Sequence, residues 1–125
     1  LLISFLQNQI KMSEEINKKM YPQATTDTAR RKADLAPKQI EAWRKFSRTV
    51  FKEGVLDEKT KELIAVAVAH VTQCPYCIKA HTPKALRKGA SKEEIMEAIW
   101  VAAEMRAGAA YAHANLALEE MDKFE

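Results

Sequence analysis

Apolar residues between Pro37 and Val50 recur three or four positions apart: Ile40, Trp43, Phe46 and Val50 share one face of a helix, while Lys45, Arg48 and Lys52 point elsewhere. Pro37 suits a first helical turn, and Gly54 ends the pattern. A second helix is expected from an N-cap at Asp57, through EKTKE into LIAVAVAHV, where every position from Leu63 to Ala69 is apolar. Such a helix must be covered on all sides, which in so small a domain predicts a subunit interface as well as a core. A third opens around Cys74 with Pro75 in its first turn and ends near Lys88, with Gly89 as the stop. Pro83 lacks an N–H and crowds the carbonyl of Lys79, so a kink or break is expected just after His81. A fourth helix starts from a capping box, Ser91 to Glu94, and runs through IMEAIWVAAEM. Gly108 is expected to divide it from a last helix, AAYAHANLALEEM, whose alanines permit close approach. Trp43, Phe46 and Trp100 are assigned to the core. No segment alternates with period two, so the fold class is all-α.

Residues 1–34 read differently. From 13 to 34 the chain is polar, contains Pro22 and adjacent threonines, and ends in Arg30, Arg31, Lys32, so any helix there is expected to be short and peripheral. The opening LLISFL precedes the first methionine, Met12, and residues 1–11 read as a leader or upstream extension outside the fold. The expected organisation is a leader and polar N-terminal segment over 1–34 and one helical domain over 35–125.

Composition narrows the function. A chain of 125 residues with 47% hydrophobic and 30% charged residues can build one core without staples. No stretch approaches the roughly 20 apolar residues of a membrane span. LLISFL lacks the basic flank of an export signal, which favours a cytoplasmic protein. The net charge of +3 is unevenly placed: residues 30–52 hold eight Lys/Arg against two acids, and residues 91–125 hold three against eight. The basic run is the best case for nucleic-acid binding, but it lies opposite an apolar stripe as any solvated face would, and no binding motif accompanies it. Two cysteines and no export signal argue against a disulfide-stapled scaffold, so the pair needs another reason.

Both cysteines fall in one short stretch, QCPYCIKAH, residues 73–81. On a helix, Cys74, Cys77 and His81 lie within about 60° of arc. Free N–H groups and the positive dipole end at a helix start favour thiolate, and two thiols one turn apart can close a disulfide. Glu62 precedes Cys74 by twelve residues at the edge of the apolar helix, where partial burial would suit it to proton transfer. His70, four before Cys74, and Tyr76, between the cysteines, are possible relay members; Tyr111 and His113 carry no comparable signal.

Glu62, Cys74, Cys77 and His81 at these spacings, followed by the Gly-Ala-Ser-x-Glu-Glu turn of residues 89–94, resemble the alkylhydroperoxidase D-like branch of the carboxymuconolactone decarboxylase superfamily over roughly residues 35–120. The resemblance implies a single-domain fold of about five to six helices and a thiol peroxidase in which glutamate and histidine relay protons. By position, Cys77 would be the thiol activated through His81 with support from Glu62, and Cys74 the partner that resolves the oxidised sulfur into a disulfide. Local physics differs on one point, since the helix start favours ionisation at Cys74. Tyr76 stands where some relatives carry another histidine, and Pro83 matches nothing in the pattern. The resemblance further implies a homo-oligomer, hexamer or trimer, and a dithiol or protein reductant. No motif for a bound organic cofactor is visible. The rival readings are a zinc-binding or redox-sensing oligomeric protein without turnover, its metal held by both cysteines, His81 and Glu62 or His70, and a muconolactone decarboxylase, whose chemistry does not rely on this cysteine pair.

Overall fold

The computed structural model describes residues 1–124, and the side chains of all of these except 17–19. Among the described residues the fold is all-α, with seven helices and no strand: α1 (Leu2–Met20), α2 (Thr26–Leu35), α3 (Pro37–Phe51), α4 (Glu58–Thr72), α5 (Pro75–Arg87), α6 (Lys92–Ala112) and α7 (Ala114–Asp122). Five of them lie within residues 35–125. The chain divides into two compact units, Leu1–Phe46 and Ser47–Glu125.

The first unit contains α1, α2 and most of α3. A 19-residue helix over Leu2–Met20 runs through the stretch read as a leader (1–11) and into the polar segment where any helix was expected to be short. Its cause is visible in retrospect: Leu2, Ile3, Phe5, Leu6, Ile10, Ile16 and Met20 occupy one broad side of the cylinder, with Lys11, Glu14 and Glu15 on the other. Thr25 and Thr28 then form a reciprocal capping box that starts α2. Trp43 and Phe46 on α3 are 60% and 59% exposed, ring against ring at 5.8 Å, and do not form the core expected of them.

The second unit is built on α4, which packs against α5 and α6. Asp57 caps α4 by accepting from the Thr60 N–H at 2.7 Å. The helix buries Glu62, Val66 and Ala69, which are spaced i, i+4, i+7 on one stripe. Val66 meets Ala85 of α5 and Ala90 and Ile95 beyond it, with Leu63 and Ile99 packed around them. Small residues dominate this core, so the three helices approach closely. Lys59–Glu94 at 2.9 Å, Lys88–Glu58, and Arg106 Nη1 donating to the Val71 carbonyl at 2.7 Å tie the helices at their ends. The outer face of α4 stays open, with Ile64 and Val68 about half exposed. Trp100 is 69% exposed on α6 and is likewise not core.

Two expected breaks do not occur. α5 is an uninterrupted helix through Pro83, because tertiary anchors on either side, His81 and the fully buried Ala85, offset the roughly 3 kcal/mol that an interior proline costs. α6 runs through Gly108 to Ala112, since a helical glycine costs only about 1 kcal/mol and alanines flank it. The turn that separates α6 from α7 falls at His113. Gly89, by contrast, ends α5 as expected with φ of 94°, a left-handed conformation natural to glycine.

Candidate functional site

The site lies where α4 gives way to α5. Gln73, with φ 55° and ψ 43°, turns the chain, and its N–H and that of Cys74 both bond to the Ala69 carbonyl. Cys74 is the N-cap of α5: its sulfur accepts from the Cys77 N–H at 3.3 Å. Pro75 follows at the first helical position, where no donor is lost. Both cysteines are free thiols and partly buried.

The pair is electrostatically asymmetric. The hydrogen bond from the Cys77 thiol, then the Cys77 and Tyr76 backbone N–H groups, hold the Cys74 thiol below its ordinary pKa, outweighing partial desolvation. Cys77 is pushed up, first because its thiol donates that bond, then by desolvation and by the negative charge on Cys74. Of the two sulfurs, Cys74 is therefore the one that ionises more readily.

Buried Glu62 and partly buried His81 form the second half of the site, with His81 Nδ1 2.7 Å from Glu62 Oε2. The carboxylate accepts at Nδ1, which leaves Nε2 as the ring nitrogen able to exchange a proton. Phe51, at the end of α3, stacks on the imidazole with centroids 5.0 Å apart and planes 25° apart. A cavity of ≈ 390 Å³ opens beside these groups. Cys77 and His81 line it together with Lys61 and an apolar wall that includes Phe51, Ile64 and Val68.

Of the six residues singled out from sequence, Glu62 and His81 are thus bonded, Cys74 and Cys77 are bonded, and Cys77 shares a cavity with His81. His70 is not drawn in: its Nδ1 lies 2.7 Å from the Val66 carbonyl one turn back on its own helix. Tyr76 contributes its backbone N–H to Cys74, while its exposed side chain does not line the cavity. Among the described residues no three His, Cys, Asp or Glu side chains gather as a metal-holding group. The zinc tetrahedron weighed from sequence is not assembled, because Glu62 is directed at His81 and His70 at its own backbone. Phe51 and Lys61 were missed. Phe51 sits at the edge of the α3 stripe, one past Val50, and Lys61 adjoins Glu62; neither position carries a motif.

The sequence model of the carboxymuconolactone decarboxylase family matches residues 37–120, about two thirds of the chain and all of the site. The chain belongs to the carboxymuconolactone decarboxylase family. That membership is consistent with the resemblance to the alkylhydroperoxidase D-like branch. The chain is 64% identical over 85 residues, 68% of its own length and 77% of the relative's, to uncharacterized protein 4 in the cox locus of Paracoccus denitrificans. Among solved structures it is similar to a carboxymuconolactone decarboxylase family protein of Legionella pneumophila, with 32% identity and a TM-score of 0.62 over 89% of this chain and 95% of that one. A Methanobacterium thermoautotrophicum protein superposes with the same TM-score of 0.62 at 36% identity, covering 66% of this chain and 94% of that one. Among the described residues no helix is long and apolar enough to cross a membrane.

Proposed function

We propose that this family member is a thiol-dependent peroxidase and disulfide oxidoreductase that reduces hydroperoxides with Cys77, Cys74, His81 and Glu62. The observation that carries the reading is that Cys77 and His81 face one largely apolar cavity while His81 is anchored on buried Glu62. The Cys77 thiol gives its proton to His81, which Glu62 anchors through Nδ1, and the Cys77 thiolate attacks the distal oxygen of ROOH. An S–O bond forms and the O–O bond breaks; the sulfur is oxidised to sulfenic acid, and RO⁻ takes a proton from the His81 imidazolium to leave as ROH. Cys74 then attacks the Cys77 sulfur, expelling hydroxide that combines with the Cys74 proton as water and leaving a Cys74–Cys77 disulfide. A dithiol or protein reductant restores the pair by thiol–disulfide exchange. The lowered pKa of Cys74 and the cavity beside Cys77 support different tasks for the two sulfurs: Cys77 meets the peroxide, and Cys74 resolves it.

This chemistry suits a reducing compartment, the cytoplasm, and a homo-oligomer, trimer or hexamer. Support for assembly comes from apolar surface left open on α6 and α7, including Trp100, Val101, Met105, Leu116 and Met121. Sedimentation giving a stable monomer at micromolar concentration would contradict it.

The decisive experiment is a thiol titration before and after one equivalent of cumene hydroperoxide on wild type, Cys74→Ser and Cys77→Ser, followed by mass spectrometry with a sulfenic-acid trap. Rapid loss of two thiols in wild type and a trapped sulfenic acid only in Cys74→Ser are expected. Slow, indiscriminate oxidation of wild type, or full peroxide turnover by Cys77→Ser, overturns the reading.

A further inference from the structure

Lys61 precedes Glu62 on α4 and is partly buried, yet among the described residues it makes no ion pair. Its Nζ donates to the Val50 carbonyl at 2.8 Å and to the Lys52 carbonyl at 2.6 Å. These carbonyls belong to the two residues that flank Phe51 at the C-terminal end of α3, where carbonyls lack intrahelical partners. One ammonium group therefore ties the peptide unit that leads into Phe51 to the unit that follows Lys52, bracketing Phe51 between them. The Phe51 ring so held lies against the face of His81. Glu62, one residue on, holds the edge of the same imidazole through Nδ1.

We propose that Lys61 is a positioning residue for His81, acting through Phe51, so that two consecutive residues of α4 hold the imidazole from its face and its edge. Glu62 and Lys61 of α4 and Cys77 of α5 are the titratable groups around His81; Phe51 of α3 is the neutral wall. Without the clamp, the last turn of α3 frays, Phe51 leaves the ring face, and the imidazole keeps its carboxylate but can tilt about that single bond. Capping of the α3 end alone would stabilise the fold and leave the chemistry untouched, and this separates the two roles. The inference rests on the peroxidase reading for its kinetic consequence only, since the geometry of His81 can be observed without turnover.

The test uses the full chain as Lys61→Met, which keeps the aliphatic stem, Lys61→Arg, which can still donate to two carbonyls, Phe51→Leu, and the Lys61→Met/Phe51→Leu double variant. Nitrogen-15 NMR of His81 across pH reads the tautomer and titration; cumene hydroperoxide turnover with dithiothreitol reads the rate. Lys61→Met and Phe51→Leu are each expected to shift the His81 titration and to lower kcat about tenfold with KM nearly unchanged, as loss of proton-transfer geometry would. Lys61→Arg should return both readouts to within about twofold of wild type, and the double variant should lose no more than the worse single one, because residues acting in series are not additive. His81 signals and kcat unchanged in folded Lys61→Met overturn the proposal, as do fully additive losses in the double variant. If wild type shows no peroxide turnover, the peroxidase reading fails while the NMR comparison still decides the role of Lys61.

Discussion

The Leu1–Phe46 and Ser47–Glu125 units both consist of amphipathic helices, yet they use apolar residues in opposite ways. Every residue found buried among the described ones, from Glu62 to Ala102, belongs to the second unit, and none belongs to the first. The first unit carries large side chains, Leu6, Ile10, Trp43 and Phe46 among them, and leaves them exposed. In the second, the buried set is Val66, Ile95, four alanines and one carboxylate. Small residues are what let α4, α5 and α6 close on one another. The same closeness removes Glu62 from water, which is tolerable because His81 answers it at hydrogen-bond distance. Periodicity makes helices; volume decides whether they share an interior and whether that interior can hold a working charge.

The largest expected effect probes that charge. Glu62→Gln keeps an oxygen to accept from His81 Nδ1 but cannot balance an imidazolium, so peroxide turnover should fall about a hundredfold with little change in helicity. Steady-state kinetics beside circular dichroism would read it. A variant within threefold of wild type would mean the buried carboxylate is only a packing partner.

Stability tests the contrast directly. Val66→Ala removes two methyl-sized groups from a fully buried position and should cost about 2 kcal/mol in urea unfolding. Trp43→Ala deletes a far larger but exposed ring and should cost less than about 0.5 kcal/mol in the isolated chain. Equal costs would show that the first unit has a cover of its own and would break the comparison.

Much of the second unit was legible because its signals are local. Asp57 and Ser91 as caps, Pro75 at a first turn and Gly89 as a stop each depend on one or two neighbours, and the structure bears them out. The misplaced breaks at Pro83 and Gly108 are local penalties that surrounding helix and tertiary contacts outweigh. The 19-residue α1 is hard to read from sequence because its apolar stripe starts in LLISFL, ahead of the first methionine, and thins out through the polar run SEEINKK. The site was half legible: Glu62, Cys74, Cys77 and His81 carry a motif and a resemblance, while Phe51 and Lys61 act only through a meeting of α3 and α4 that no spacing encodes.

A smaller effect follows from the α6 cap, which anchors one edge of that unit. Ser91 Oγ accepts from the Glu94 N–H at 3.0 Å, and Glu94 accepts from the Ser91 N–H at 2.8 Å. Ser91→Ala should cost about 1 kcal/mol by chemical denaturation. The Ser91 backbone N–H, and after it Lys59, hold the Glu94 carboxyl below its ordinary value of 4.5. A depressed folded pKa stabilises above the unfolded value and loses that contribution as pH falls through the folded one. The stability gap between wild type and Glu94→Gln should therefore be full at neutral pH and close on acidification below 4.5. A gap that persisted unchanged at pH 3, on the order of one unit below the ordinary carboxylate range, would assign it to packing.

The smallest effect sits closest to the chemistry. Gln73 adopts the left-handed conformation that turns α4 into α5 and sets Cys74 at the helix start. A residue with a Cβ is strained there, and glycine is not, although glycine also frees the unfolded chain. The two terms nearly offset, so Gln73→Gly should stabilise by no more than about 0.5 kcal/mol, whereas the β-branched Gln73→Val should destabilise by more than that. Because the backbone path is the same with glycine, the Cys77 N–H should still reach the Cys74 sulfur, and Cys74 should still outpace Cys77 in peptide-resolved alkylation at neutral pH. If Gln73→Gly instead abolished that difference while the fold held, the turn's rigidity, and not its direction alone, would be what lowers the Cys74 pKa. The second unit would then depend for its chemistry on a strained residue outside its core.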